Sequence, residues 1–132
     1  ITHGRLADAF RETLFSIVGM KQNIISISIP TECTLKSLCE NVKHVISTMG
    51  TQYVIVFTDM LGGTACSSSM MVCHELQNVF VISGVNLYML LTAVNLRENN
   101  LCSSIEEYID KIITEGKKCI SNVNEVLFKK CK

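Results

Sequence analysis

The sequence lacks an excess of either charge, a long apolar run and any basic cluster. Its 132 residues carry 12 Lys and Arg against 12 Asp and Glu, which gives a formal net charge of zero. A nucleic-acid-binding chain would need a concentrated basic surface, so nucleic acid is not an expected partner. The longest apolar stretches, at 53–57 and 79–82, are far shorter than the roughly 20 residues that span a bilayer. The chain itself is therefore expected to be soluble.

Paired cysteine motifs are also missing, although cysteine is common. The seven cysteines are odd in number and scattered, and no CxxC pair occurs. Cys73-His74 has no companion pair at zinc-finger spacing, so a metal site is not expected. The pattern is typical of reduced thiols that serve as small buried apolar residues, which predicts a cytoplasmic protein without a cofactor. These residues are Cys33, Cys39, Cys66, Cys73, Cys102, Cys119 and Cys131.

Apolar residues recur at helical spacing in some segments and as short β-branched runs in others. The length fits a single domain spanning 1–132, and the alternation of strand and helix predicts an α/β fold with a mostly parallel sheet. The expected strands are 24–29, 53–57 and 79–83, the expected helices are 6–18, 35–49, 65–76 and 104–116, and a loop and helix are expected at 84–96. Thr34 is the expected N-cap of the second helix, and Ser104 with Glu107 forms a capping-box pattern at the start of the last one. A tail segment, Val123 to Phe128, is predicted to form a short edge strand.

The first residues of the sequence depart from the pattern of an α/β unit, which usually begins with a buried strand. Ile1-Thr2 resembles the last step of such a strand, and we interpret most of that first strand as missing, so that it would either precede these residues or be supplied from elsewhere. His3 and Gly4 then form the loop into the first helix.

Two loops carry polar residues where strands run into helices. His3 lies in the first loop, and Asp59 with Gly62-Gly63-Thr64 follows the most apolar strand. Ligands of open parallel sheets bind beyond the carboxyl ends of the strands, so these residues are expected to face one crevice. Alternatively, His3 is an incidental surface residue and Asp59 a turn former.

The combination suits a histidine that accepts a phosphoryl group. The positive end of a helix dipole disfavours imidazolium, so His3 is expected to be a neutral nucleophile. Asp59 would orient the ring by accepting a hydrogen bond from one ring nitrogen. The amides of Gly62, Gly63 and Thr64, with the Thr64 hydroxyl, would bind phosphate. Neither GxxxxGK[ST] nor GxGxxG occurs, which favours a protein phosphodonor over ATP.

Three sequence blocks, in order, resemble the signatures of one family. They are Thr2-His3-Gly4, then 58–64 (TDMLGGT), then 82–90 (ISGVNLYML). Together they are similar to the mannose-family enzyme IIA domain of the bacterial sugar phosphotransferase system. Two departures are Ala65 and Tyr88, which stand where that family commonly has proline.

The resemblance implies a phosphohistidine carrier. Such a protein accepts phosphate from phospho-HPr on the residue matching His3 and passes it to enzyme IIB for sugar uptake, with the residue matching Asp59 as orienter and that matching Thr64 as a hydroxyl donor. It reaches the membrane only through the sugar permease. The implied fold has three layers, with helices on both faces of the sheet, and is usually a homodimer in which an antiparallel edge strand, here Val123 to Phe128, is exchanged.

Three alternatives remain open. The domain could act in a phosphotransferase-responsive transcription regulator, or as the phosphocarrier subunit of a dihydroxyacetone kinase, which uses a histidine on a similar fold. A non-catalytic flavodoxin-like binding module would share the architecture alone.

Overall fold

Short strands and helices alternate along most of the chain, as its patterns predict. The structure is a computed structural model and describes residues 1–129. Two units can be distinguished, Ile1–Val85 and a second that begins at Asn86. The elements are β1 (Thr2–His3), α1 (Leu6–Val18), β2 (Ser28–Ile29), α2 (Leu35–Met49), β3 (Val54–Thr58), α3 (Thr64–Glu75), β4 (Val79–Ser83), α4 (Leu87–Glu98), α5 (Ile105–Lys118) and α6 (Val123–Lys129).

All the paired strands of the first unit are parallel. β1 pairs with β2, and β3 pairs with β4 from Val54 opposite Val79 to Thr58 opposite Ser83. The backbone nitrogen of Ile1 donates to the Phe57 carbonyl at 2.8 Å, which brings β1 alongside β3. The predicted α/β class with short parallel strands is thus confirmed. β2 is shorter than the expected strand 24–29 because β1 offers it only two residues to pair with.

The core of the first unit lies between the strands and two helices. Buried aliphatic side chains of β3 and β4 form one cluster, and those of β2, α2 and α3 form another. Ile1 packs against both clusters, and therefore the start of β1 is held at the centre of the unit. The members are Val54, Val56 and Val79 in the first cluster, and Ile29, Leu38, Cys39, Val42, Ala65 and Val72 in the second.

Two helix starts carry the side-chain caps that the sequence predicts. Thr34 Oγ1 accepts the Ser37 amide at 3.2 Å at the start of α2. Ser104 Oγ accepts the Glu107 amide at 3.2 Å at the start of α5. The Glu107 carboxylate reaches back to the amide of Ser103, at 2.8 Å. Each cap satisfies an amide that has no acceptor inside its own helix.

In the second unit, α4 and α5 pack together at Gly116. The sequence predicts that α5 ends at this glycine, but the helix continues to Lys118. The glycine is needed for packing, because a Cβ at this position would overlap the Met89 side chain. Asn86 joins the same pair of helices, since its Oδ1 accepts the Met89 amide at 3.1 Å and its Nδ2 donates to the Gly116 carbonyl at 3.3 Å.

The predicted edge strand at Val123 to Phe128 is wrong for this chain, which forms the helix α6 there. An edge strand needs a neighbouring strand for its amides, whereas a helix satisfies them locally. Asn122 assists at the helix start, where its carbonyl accepts the Val126 amide at 3.2 Å and its Oδ1 accepts the Asn124 amide at 3.2 Å.

Within residues 1–129, none of the helices combines the length and the apolar character needed to cross a bilayer. The six cysteines in this range are free, and Cys39 and Cys66 are buried, as expected for small apolar residues. Cys131 lies outside the described residues.

Candidate functional site

The candidate site forms where β1 and β3 end side by side. His3 is the last residue of β1, and Asp59 directly follows β3. Because β1 lies alongside β3, His3 and Asp59 meet at the ends of the two strands, where α/β proteins place their ligands. The two residues that the sequence singled out are therefore brought into contact.

One carboxylate oxygen of Asp59 holds His3 at two points. Asp59 Oδ2 accepts the His3 backbone amide at 2.8 Å and lies 2.7 Å from His3 Nδ1. A carboxylate oxygen can only accept, so Nδ1 carries a proton in this arrangement, and in a neutral ring Nε2 then has the free lone pair. The His3 side chain is 47% exposed and that of Asp59 only 15%. The carboxylate is thus enclosed while the ring faces solvent.

The environment of Asp59 favours its ionised form. Burial raises the pKa of this carboxyl, but hydrogen bonds from the His3 amide, the His3 ring and the Met60 amide together outweigh that effect. The pKa of Asp59 therefore lies below its usual value. The charged carboxylate is available as an acceptor at neutral pH, as the orienting role requires.

Gly63 leaves the room that the His3 ring occupies. A Cβ built on Gly63 would lie 2.9 Å from His3 Cε1, 3.7 Å from His3 Nε2 and 3.1 Å from Met60 Cγ. The Cε1–Nε2 side of the ring therefore faces Gly63, which immediately precedes α3. Both nitrogens have distinct surroundings, one at the carboxylate and the other at a helix N-terminus.

The start of α3 differs from every other helix start in residues 1–129. In the other helices a side-chain oxygen accepts an amide of the first turn, supplied for α1 by Thr2 and not by its N-cap residue Arg5, whereas Gly63 before α3 can supply no such acceptor. The first amides of α3 therefore have no side-chain oxygen to bind. The residues whose side chains accept a first-turn amide are Thr2 for α1, Thr34 for α2, Asn86 for α4, Ser104 for α5 and Asn122 for α6.

The remaining predicted site residues lie in the same loop and helix start. Gly62 has a positive φ of 78°, the left-handed conformation that glycine adopts readily. Thr64 is the first residue of α3 and is half-buried. Among the described residues, the Thr64 hydroxyl makes no hydrogen bond, so it remains available for a ligand.

Sequence reasoning missed the contribution of Thr2. Its hydroxyl, on a residue only 2% exposed, accepts the Ala7 amide of α1 at 2.7 Å. A signal was present, because Arg5 stands at the N-cap of α1, where Ser, Thr, Asp or Asn is usual. An acceptor had to come from elsewhere, and Thr2 is a short polar residue that precedes α1 by only a few positions.

Comparisons with known proteins place the chain in a family. The profile of EIIA-man, described as the PTS system fructose IIA component, matches residues 1–113. The chain resembles the phosphotransferase system component EIIA from Streptococcus agalactiae, with 25% identity, 94% of each chain covered and a TM-score of 0.85. It also resembles the mannose/sorbose specific IIA subunit from Enterococcus faecalis, at 22% identity, with 92% of this chain and 89% of that chain covered and a TM-score of 0.76.

A third structure has the same fold. It is a sigma-54 interaction domain protein from Enterococcus faecalis, at 19% identity, with 89% of this chain and 87% of that chain covered and a TM-score of 0.70. No curated protein sequence matches significantly. Because the family profile covers most of its length, the chain belongs to the EIIA-man family and is a sugar phosphotransferase system component of the IIA type.

Proposed function

We propose that this protein is a phosphohistidine carrier that accepts a phosphoryl group on Nε2 of His3 and passes it on. The observation that carries the proposal is the hydrogen bond between His3 Nδ1 and Asp59 Oδ2, at 2.7 Å. It fixes the proton on Nδ1 and leaves Nε2 as the nucleophile. The Cε1–Nε2 side of the ring faces Gly63 just before α3, where uncapped amides and the helix dipole favour phosphate oxygens.

The transfer step follows from these positions. The Nε2 lone pair attacks the phosphorus of the donor's phosphohistidine, and the donor N–P bond breaks. A donor ring that is protonated on its other nitrogen leaves as neutral imidazole, and the His3 ring acquires a positive charge while Nδ1 keeps its proton. Asp59 balances that charge. The amides of Gly62, Gly63 and Thr64, with the Thr64 hydroxyl, bind the phosphoryl oxygens.

The proposed partners are phospho-HPr as donor and enzyme IIB as acceptor. A side chain that is 47% exposed, as His3 is, can be reached by the phosphorylated residue of another protein. Both units are proposed to act as one IIA domain, because the family match at 1–113 runs through both. The cytoplasm, where phosphohistidine partners and reduced thiols coexist, is the proposed location.

The function is tested by incubating the protein with phosphoenolpyruvate, enzyme I and HPr. We expect one acid-labile phosphate on His3, bound at Nε2 in the NMR spectrum, and none in His3→Ala. Asp59→Asn, which removes the charged acceptor, should slow the reaction about 100-fold, the scale of a misplaced reacting group. Subsequent addition of enzyme IIB should remove the phosphate. Equal labelling of the wild type and His3→Ala would refute the proposal.

A regulatory role is the second candidate. One of the structures with this fold is a sigma-54 interaction domain protein, and a shared fold is compatible with either function. Phosphate that reaches His3 but cannot be passed to any enzyme IIB would favour regulation. Transfer to the nucleotide-bearing subunit of a dihydroxyacetone kinase would identify that phosphocarrier instead.

We also propose that the protein is a homodimer, with α6 in the interface. Ile120 is 81% exposed, Val123 64% and Val126 48%. These apolar side chains, at and before the start of α6, would be covered by a second copy.

A further inference from the structure

We propose that Thr2 is a positioning residue for His3, and that its buried hydroxyl fixes the backbone from which the imidazole reaches Asp59. The inference deepens the proposed function and rests on it for the kinetic readout only. It starts from two hydrogen bonds made by one oxygen. Thr2 Oγ1 accepts the Ala7 amide at 2.7 Å and donates to the His3 carbonyl at 3.3 Å.

The first of these bonds closes a loop around His3. It joins β1 to the first turn of α1, and only four residues, 3–6, lie between Thr2 and Ala7. Gly4 reverses the chain inside this loop with a φ of 54°, and its amide donates to the Ile29 carbonyl at 3.1 Å. The backbone on the carboxyl side of His3 is therefore held by Thr2 and by β2.

The other side of His3 is held by the orienting carboxylate itself. Asp59 Oδ2 accepts both the His3 amide, at 2.8 Å, and the proton on Nδ1. Because one oxygen binds both groups, the position of the His3 ring is tied to the position of the His3 backbone amide. A shift of the loop that lengthened the amide bond would also change the angle at Nδ1. The geometry of the ring thus depends on the loop that Thr2 closes.

Thr58 supplies a matched comparison within the same protein. It precedes Asp59 as Thr2 precedes His3, and both threonines are buried strand residues, with exposures of 0% for Thr58 and 2% for Thr2. The Thr58 hydroxyl has no hydrogen-bond partner among the described residues. Replacing either threonine by valine keeps the branched shape and removes the hydroxyl, but only at Thr2 are hydrogen bonds lost.

The test uses the full chain and three variants, Thr2→Val, Thr2→Ser and Thr58→Val. The first readout is the ¹⁵N spectrum of the His3 ring, which does not require phosphorylation. We expect one tautomer, protonated at Nδ1, in the wild type, Thr2→Ser and Thr58→Val. A mixture of tautomers is expected in Thr2→Val. The second readout is phosphorylation by phospho-HPr, in which Thr2→Val should lower kcat about tenfold at unchanged KM, since positioning and not docking is altered.

Two outcomes would overturn the inference. One is a Thr2→Val protein with the wild-type ring spectrum, and the other is a Thr58→Val protein that is altered as much as Thr2→Val. If Thr2→Val does not fold, hydrogen exchange of the wild-type Ala7 amide decides: protection supports the bond to Thr2, and free exchange contradicts it. A wild type that is never phosphorylated would refute the proposed function, while the ring spectra would still test the role of Thr2.

Discussion

At the scale of single residues, the site depends as much on an absent side chain as on those present. His3 and Asp59 could be paired only because Gly63 leaves space for the ring between the carboxylate and α3. A Cβ on Gly63 would approach His3 Cε1 to 2.9 Å, closer than such contacts normally occur. Gly63 has an ordinary φ of −74°, so this position favours glycine for its small size and not for its backbone conformation.

Gly63→Ala should therefore displace the His3 ring without unfolding the protein. The methyl group would push the imidazole away from the geometry that Asp59 imposes, and phosphorylation should slow about 100-fold. The measurement combines the phosphorylation rate with the ¹⁵N ring spectrum, which should lose the single Nδ1-protonated form.

Gly62→Ala is the contrasting variant. No atom lies within 4 Å of a Cβ at that position, but the φ of 78° strains any side chain. It should lower the melting temperature, at a cost of about 1–2 kcal/mol, while the His3 ring spectrum stays unchanged. An unchanged ring in Gly63→Ala would contradict the steric explanation.

At the scale of elements, polar contacts tie helices to the strands beside them. Asp8 of α1 accepts the hydroxyl of Ser26 at 2.6 Å and that of Ser28, in β2, at 2.8 Å. These two hydrogen bonds hold the pKa of Asp8 below its usual value. They join α1 to the strand that also binds the loop after His3.

Asp8→Asn should lower the free energy of unfolding at neutral pH. For a carboxyl whose pKa is depressed in the folded state, the stabilisation is fully present above the unfolded pKa, about 3.9, and disappears as the pH falls through the folded pKa. The difference between wild type and variant, measured by urea unfolding at pH 7 and near pH 2, should therefore shrink in acid. Asp110→Asn, at an exposed position in α5, is the control and should show little difference at either pH. A constant difference for Asp8→Asn would exclude the charge as its source.

Gly116→Ala should destabilise the second unit, although alanine is the better helix former by about 1 kcal/mol. Gly116 lies inside α5, and the added methyl group would overlap the Met89 side chain. Overpacking of this kind costs about 1–3 kcal/mol. Chemical unfolding of Gly116→Ala, Met89→Ala and the double variant measures the effect. The two changes should be less than additive, and additive losses would show that Met89 is not the obstacle.

At the scale of the whole molecule, the α/β class and most helix bounds could be predicted, because local patterns determine them. The caps at Thr34 and Ser104 are examples, and so is the strand that leads to Asp59. The contact of the His3 ring with Asp59 was expected, because both residues follow strand ends. The second bond of Asp59, to the His3 amide, and the space at Gly63 were not, since they depend on how the contact of Ile1 with Phe57 places β1 beside β3. The tail at Val123 to Phe128 was mispredicted because an apolar segment can form either a paired strand or a helix, and pairing depends on what lies beside it.

Assembly is tested by light scattering after gel filtration. A homodimer should have twice the chain mass of 14.7 kDa. Val123→Asp places a charge on the exposed apolar side of α6 and should shift the equilibrium to the monomer. Met20→Asp is the matched control, because Met20 is 86% exposed and lies outside α6. A wild-type monomer at high concentration, or equal effects of the two charges, would exclude α6 as the interface.

Because no side chain caps the start of α3, a phosphoryl group on His3 would also stabilise the fold, since its oxygens would accept the first amides of this helix. In every other helix of residues 1–129 a side-chain oxygen accepts an amide of the first turn, and at α3 the phosphoryl oxygens would do so. Phosphorylated protein should consequently melt at a higher temperature than the empty form, and the rise should vanish in His3→Ala. The effect is reciprocal by thermodynamic linkage. If phosphorylation stabilises α3, then a partner that destabilises α3 favours transfer of the phosphoryl group away from His3. The stability of α3 would then differ between the phosphorylated and the unphosphorylated protein, and it would affect how readily the phosphoryl group is transferred.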